Sequence, residues 1–203
     1  MVTLCLRSHR RCVSRCIARF GVVMMACLGA GASSADSRLI DQIHTIRIPG
    51  FVSFVAAEHF AVGSIIGGRR LGSVGFNFKQ HFLEAVETGV PTASVAVWNL
   101  RYAMGDASLV KMRVVRLAHV YAIMEMGSAS AGHTDWRSNF AYVRSPLDHR
   151  PWAVHWSANH YGEWTIGAVR VPHADLDWPA GSRWFGADVN EQTAESNLVR
   201  RMK

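Results

Sequence analysis

Residues 152–171 read Trp-Ala-Val-His-Trp-Ser-Ala-Asn-His-Tyr-Gly-Glu-Trp-Thr-Ile-Gly-Ala-Val-Arg-Val. Two apolar, β-prone runs, 152–158 and 164–171, flank Asn159, His160, Tyr161 and Gly162. That layout predicts a β-hairpin. In the second run Trp164, Ile166 and Ala168 alternate with Thr165, Gly167 and Val169, the period of a half-buried strand. Upstream, residues 93–100 read Ala-Ser-Val-Ala-Val-Trp-Asn-Leu and predict another strand; 183–185 predict a short one. Between them, 106–117 predict a helix, with Asp106 as cap and Leu109, Val110, Val114 and Leu117 as its apolar stripe. Residues 119–126, with Val-Tyr-Ala-Ile-Met at their centre, read as a strand, 127–138 as a polar loop and 191–203 as a polar helical end. Strands and helices in this order indicate an α+β fold.

The N-terminal half is less regular. Residues 36–50 turn from polar to extended, with Ile43, Ile46 and Ile48 before Pro49. Residues 51–60 are apolar, and their pattern fits helix and strand equally. Gly63, Gly67, Gly68, Gly72 and Gly75 punctuate a stretch holding Arg69 and Arg70. Neither phosphate-loop glycine spacing is present, so a turn-rich connection is expected. Residues 78–88 read as a helix on Phe78, Phe82, Ala85 and Val86, ended by Gly89 and Pro91.

All four cysteines, Cys5, Cys12, Cys16 and Cys27, lie in the first 27 residues. That stretch joins a basic leader (Arg7, Arg10, Arg11, Arg15, Arg19) to an apolar run from Phe20 to Leu28 and the small residues Ala32-Ser33-Ser34-Ala35. The order is that of a secretory signal, with cleavage expected after Ala35. The expected location is secreted or periplasmic. The apolar run is shorter than the roughly 20 residues of a membrane span, and no stable span is expected in the mature chain. Removing five arginines and no acid takes the formal charge from +7 to +2. The basic balance therefore describes the leader and is no argument for a nucleic-acid surface. The 168 residues that follow have no cysteine, which excludes a disulfide framework, a thiolate nucleophile and a Cys-ligated zinc there. His133, Asp135, Asp148, His149, His155, His160, His173, Asp175 and Asp177 crowd the C-terminal half, but no His-Glu-x-x-His spacing joins them. No Gly-x-Ser-x-Gly elbow marks a serine nucleophile either.

A series of short motifs remains. Trp98-Asn99-Leu100 closes a predicted strand. Glu125 closes the next, in Ala122-Ile123-Met124-Glu125-Met126-Gly127-Ser128. Arg150-Pro151 leads into the hairpin, and Trp184-Phe185-Gly186-Ala187-Asp188-Val189-Asn190 comes last. This order resembles the endonuclease/exonuclease/phosphatase superfamily, the DNase I-like fold, and within it the catalytic subunits of cytolethal distending toxins. The likeness covers residues 93–200, so the expected division is 1–35 signal peptide, 36–92 an N-terminal segment, and 93–203 a nuclease-like region forming one domain with it. The resemblance implies a DNase I-like α/β sandwich, partial or divergent, and an exported, toxin-like, Mg²⁺-dependent phosphodiesterase or DNase. It implies Glu125 as metal ligand, Asn99 as orienting residue, Asp188 as holder or base of the attacking water, and Asn190 as stabiliser of the phosphate oxygens. The partners implied are DNA or another phosphodiester and delivery subunits of a toxin complex. Several positions depart from that pattern: Met124 replaces a glutamine, one residue is inserted in Gly186–Asn190, and a catalytic histidine strand and a terminal Ser-Asp-His segment have no counterpart up to Lys203. The competing expectation is a secreted binding protein without catalysis. It would present Trp152, Trp156, Trp164, Trp178 and Trp184 as a tryptophan-rich hairpin surface, against the plainer reading in which the hairpin packs these aromatics into a core.

Overall fold

The computed structural model describes residues 40–105, 113–127, 138–171 and 177–187. Its framework begins with a long two-stranded ribbon. Strands β1 (Ile40–Ile48) and β2 (Phe51–Val55) run one way; β5 (Val86–Val90) and β6 (Ala93–Leu100) return antiparallel to them. Ile48 pairs with Ala93 and Phe51 with Val90, so the ribbon is interrupted at Pro49-Gly50 and Pro91-Thr92, and its register shifts between Gln42 and His44. Proline has no N–H to give the ladder. Gly50 is required by close approach: a Cβ there would stand 2.6 Å from the Val90 carbonyl oxygen and 2.9 Å from the Thr92 nitrogen.

The other elements follow from short local patterns. Helix α1 (Ala56–His59) continues β2. Strands β3 (Ile65–Ile66) and β4 (Arg69–Val74) form a tight hairpin on Gly67 and Gly68, whose φ angles of 56° and 79° suit glycine. The glycine-rich stretch is thus a hairpin. Helix α2 (Phe76–Phe82) buries Phe78 and Phe82, one turn apart. It is shorter than the helix expected over 78–88, because from Val86 the chain is drawn into pairing with β2. After β7 (Met104–Gly105), Val115 bridges Val143 in parallel, so the end of the helix expected at 106–117 is extended; residues 106–112 lie outside the described residues.

Helix α3 (Leu117–Met126) stands where a strand was expected. Leu117, Ala118, His119, Val120, Ala122, Ile123 and Met124 are all buried. A helix covered on nearly every side carries no amphipathic stripe, and its β-branched residues then imitate a strand. Strands β8 (Asn139–Arg144), β9 (Pro151–Ala158), β10 (Trp164–Arg170), β11 (Asp177–Trp178) and β12 (Arg183–Ala187) complete the chain. β9 and β10 are the expected hairpin, and β6 and β12 also fall where strands were expected. β8 was not anticipated: its first five residues are all buried, so no alternation betrays it.

These strands form one mixed eight-stranded sheet in the order β1-β6-β12-β8-β9-β10-β4-β3. β12 runs parallel to β8 and β10 parallel to β4; the other pairs are antiparallel. Laid flat, eight strands would put the edges about 34 Å apart. Yet α3, about 15 Å long, touches both edge strands, β1 and β3. The sheet therefore curls around α3. Its inner face holds the main core, including Ile48, Val95, Val97, Val154, Trp164 and Phe185. Its outer face carries a second apolar layer beneath the β7–β11 ribbon. The fold is α+β, with a large mixed sheet and few helices.

Burial also corrects the tryptophan expectation. Trp152, Trp156, Trp164, Trp178 and Trp184 are 0–6% exposed. The hairpin tryptophans fill the core, and the surface proposed for them does not exist. Among the described residues no helix is long and apolar enough to cross a membrane.

Candidate functional site

Strand register sets a row of polar side chains across the inner face. Asp41 on β1 pairs with Asn99 on β6, Asn99 with Arg183 on β12, and Arg183 with Asn139 on β8. Laterally paired residues point to one side of a sheet. Val97 and Phe185 share that parity and belong to the inner core, so the row faces inward. Arg183 is 6% exposed and Asn139 fully buried. The Asn139 amide donates to the Trp156 carbonyl at 3.3 Å. Asn99 is half-buried, and its Oδ1 is sealed from solvent with no hydrogen-bond partner among the described residues. At the open end of the row, Arg101 grips Asp41 through Nε at 2.5 Å and Nη2 at 2.7 Å. That grip holds the Asp41 carboxyl below the usual carboxylate range.

Glu125 sits in the last turn of α3, not at a strand end. The helix enters at the end of the sheet where β6 begins: His119 Nε2 lies 3.0 Å from the Pro91 carbonyl. It leaves at the opposite end, where Gly67 of the β3–β4 turn abuts the carbonyls of Met124 and Glu125. Asn99, near the close of β6, lies at that same exit end of the sheet. Glu125 Oε1 accepts a 2.8 Å hydrogen bond from Tyr121, whose hydroxyl is pushed up to about 12 by burial and by this carboxylate. Tyr121 is itself packed against His59, Phe54 and Phe60, with ring centroids 4.4, 5.7 and 5.9 Å away.

Asp188 and Asn190 lie outside the described residues, as do the signal segment, His133, Asp135, His173, Asp175, the 128–137 part of the expected loop and the expected C-terminal helix. The chain leaves β12 at Ala187, paired with Val95. Val95 is four residues from Asn99 along β6, about 13 Å. Among the described residues no three His, Cys, Asp or Glu side chains gather as a metal-holding group. Asn159 anchors the hairpin turn, accepting from the Tyr161 and Glu163 amides at 2.9 Å each.

No protein-family model matches this chain, and neither a curated protein nor a solved structure does. The site is therefore read from its own residues. Arg183 and Asn139 were absent from the sequence-based candidates. Arg183 had a legible signal: a charged residue opening a short strand at the parity of Phe185. Asn139 had none, because the strand carrying it was not recognised.

Proposed function

We propose that the chain is an exported protein that engages phosphate esters at the inner polar row, as a divergent, DNase I-like, Mg²⁺-dependent phosphodiesterase. The observation that carries this reading is that Asn99 and Glu125 stand at the same end of the curled sheet, with Arg183 and Asn139 in register beside Asn99. A guanidinium suits a phosphate, offering paired N–H donors and a fixed positive charge. Mg²⁺ takes hard oxygen ligands, commonly one or two carboxylates completed by waters and substrate phosphates. The Glu125 carboxylate and the unpartnered Asn99 Oδ1 are oxygens of that kind. When bound, the ion offsets charge on the phosphate. In the proposed roles Arg183 orients the ester; the parts of water base and phosphate donor fall to Asp188 and Asn190 by the resemblance alone, and Ala187, the last described residue before them, pairs with Val95, about 13 Å along β6 from Asn99.

The test is nicking of supercoiled plasmid by the full chain, with Mg²⁺, with chelator, and with Glu125→Ala or Asp188→Asn. The expected result is Mg²⁺-dependent nicking that chelator abolishes and that Glu125→Ala lowers to background. Nicking at background in the wild type, with the fold intact by circular dichroism, removes the catalytic reading.

A second reading, an exported binding protein without catalysis, draws on one observation. The Glu125 carboxylate is already engaged by Tyr121, and the row beside Asn99 adds amides and a guanidinium but no further buried carboxylate. In that case Arg183→Leu abolishes phosphate-ester binding while no variant changes plasmid integrity.

A further inference from the structure

Among the described residues, the outer face of the sheet holds two buried polar groups without a hydrogen-bond partner, Ser182 Oγ and Trp184 Nε1. The two residues are 1% and 4% exposed. They lie two positions apart, Ser182 just before β12 and hydrogen-bonded through its carbonyl to the Leu100 amide, Trp184 within β12, both on the side opposite Arg183. Folded proteins leave few such groups unsatisfied, and two groups two positions apart on one side of the chain are close enough to share a partner. An indole N–H only donates, so that partner must present an acceptor.

The surroundings narrow its chemistry. Trp184 stacks on Trp98 with centroids 4.5 Å apart, and Phe140 stacks on Trp178 at 4.0 Å and 5°. The Arg113 guanidinium lies 4.7 Å from the Trp98 ring centre. Gly186 lets it come close: a Cβ there would stand 2.8 Å from the Arg113 Cβ. Among the described strands, the two-residue pairing of β7 with β11 is what lies over this layer, and it supplies Met104 and Trp178. Aromatic planes with a few placed donors and one cation make a site for a flat anionic molecule.

We propose that this outer layer binds a small aromatic carboxylate. Its ring enters the tryptophan and phenylalanine layer as the β7–β11 ribbon lifts. Its carboxylate accepts from the Trp184 indole and the Ser182 hydroxyl, and Arg113 balances the charge. The site is on the opposite face from the polar row and stands or falls independently of it.

Indole ¹⁵N–¹H spectra of the full chain test this directly. The seven tryptophans give seven cross-peaks, and Trp184→Phe identifies the relevant one. Benzoate is the probe; acetate (carboxylate without ring) and benzyl alcohol (ring without carboxylate) are the controls. The expected result is a saturable shift of the Trp184 peak with benzoate alone, weakened at least tenfold in Ser182→Ala and in Arg113→Gln. Both variants keep Trp184 and so report on their own folding through the remaining peaks. A Trp184 peak unmoved by benzoate, or equal binding in both variants, overturns the proposal and leaves the two groups to a buried water.

Discussion

Glu87 shows how a single side chain can order a distant element. It lies on β5, yet its carboxylate accepts from the Leu117 and Ala118 amides at 3.2 and 2.9 Å. Those are the first two N–H groups of α3, whose own flanking residue, Arg116, provides no side-chain cap. The carboxylate therefore satisfies two orphan donors and meets the positive end of the helix dipole. Glu87→Ala is expected to lower stability by about 1 kcal/mol, read as a lower denaturant midpoint at unchanged slope. His155 gives a pH-dependent counterpart. It packs across the strand on Gly167, where a Cβ would stand 2.6 Å from Nε2. Burial pushes the imidazole below its usual value. The unfolded chain then holds the extra proton more readily, so this contribution is complete above the unfolded pKa, about 6.5, and is lost as pH falls from there through the folded value. The fall in unfolding free energy between pH 7.5 and 5 should be smaller in His155→Gln than in the wild type. An equal fall would place the titration elsewhere.

The β3–β4 hairpin and α3 depend on one another. Gly67 has φ 56° and faces the α3 carbonyls so closely that a Cβ would stand 2.4 Å from the Met124 oxygen. Trp164 ties the same hairpin to the sheet, donating its indole N–H to the Ile66 carbonyl at 2.9 Å. Gly67→Ala combines a disfavoured backbone with a backbone clash, and should cost more than the ~1 kcal/mol of a simple left-handed glycine replacement. Gly63→Ala is the control: it also has positive φ, 98°, but its Cβ would meet nothing within 4 Å. Equal melting temperatures for the two variants would show that the helix does not press on the hairpin. The elements differ in how openly the sequence displays them. β9 and β10 alternate and flank a turn. α3 and β8 are buried on nearly every side, so their periodicity is masked.

The curled sheet creates two separate interiors, one around α3 and one beneath the β7–β11 ribbon. The tryptophans of the described residues are divided between them, and each is nearly sealed from solvent. Emission from the folded chain should accordingly be blue-shifted, with most of its intensity resistant to acrylamide, and should redden on unfolding. Efficient quenching of the native chain would contradict this packing. The curl also gives the polar row its meaning. Asp41, Asn99, Arg183 and Asn139 are spread over 143 positions of the chain and are neighbours only because strand register aligns them.

The sequence by itself determined the α+β class, the β9–β10 hairpin, and the strands at β6 and β12. These rest on alternation and turn chemistry, which act within a few residues. Only the tertiary structure decided that residues 117–126 are helical and that Arg183 and Asn139 stand beside Asn99. Local sequence cannot express those outcomes, because they arise where a sheet closes around a helix and distant strands come into register.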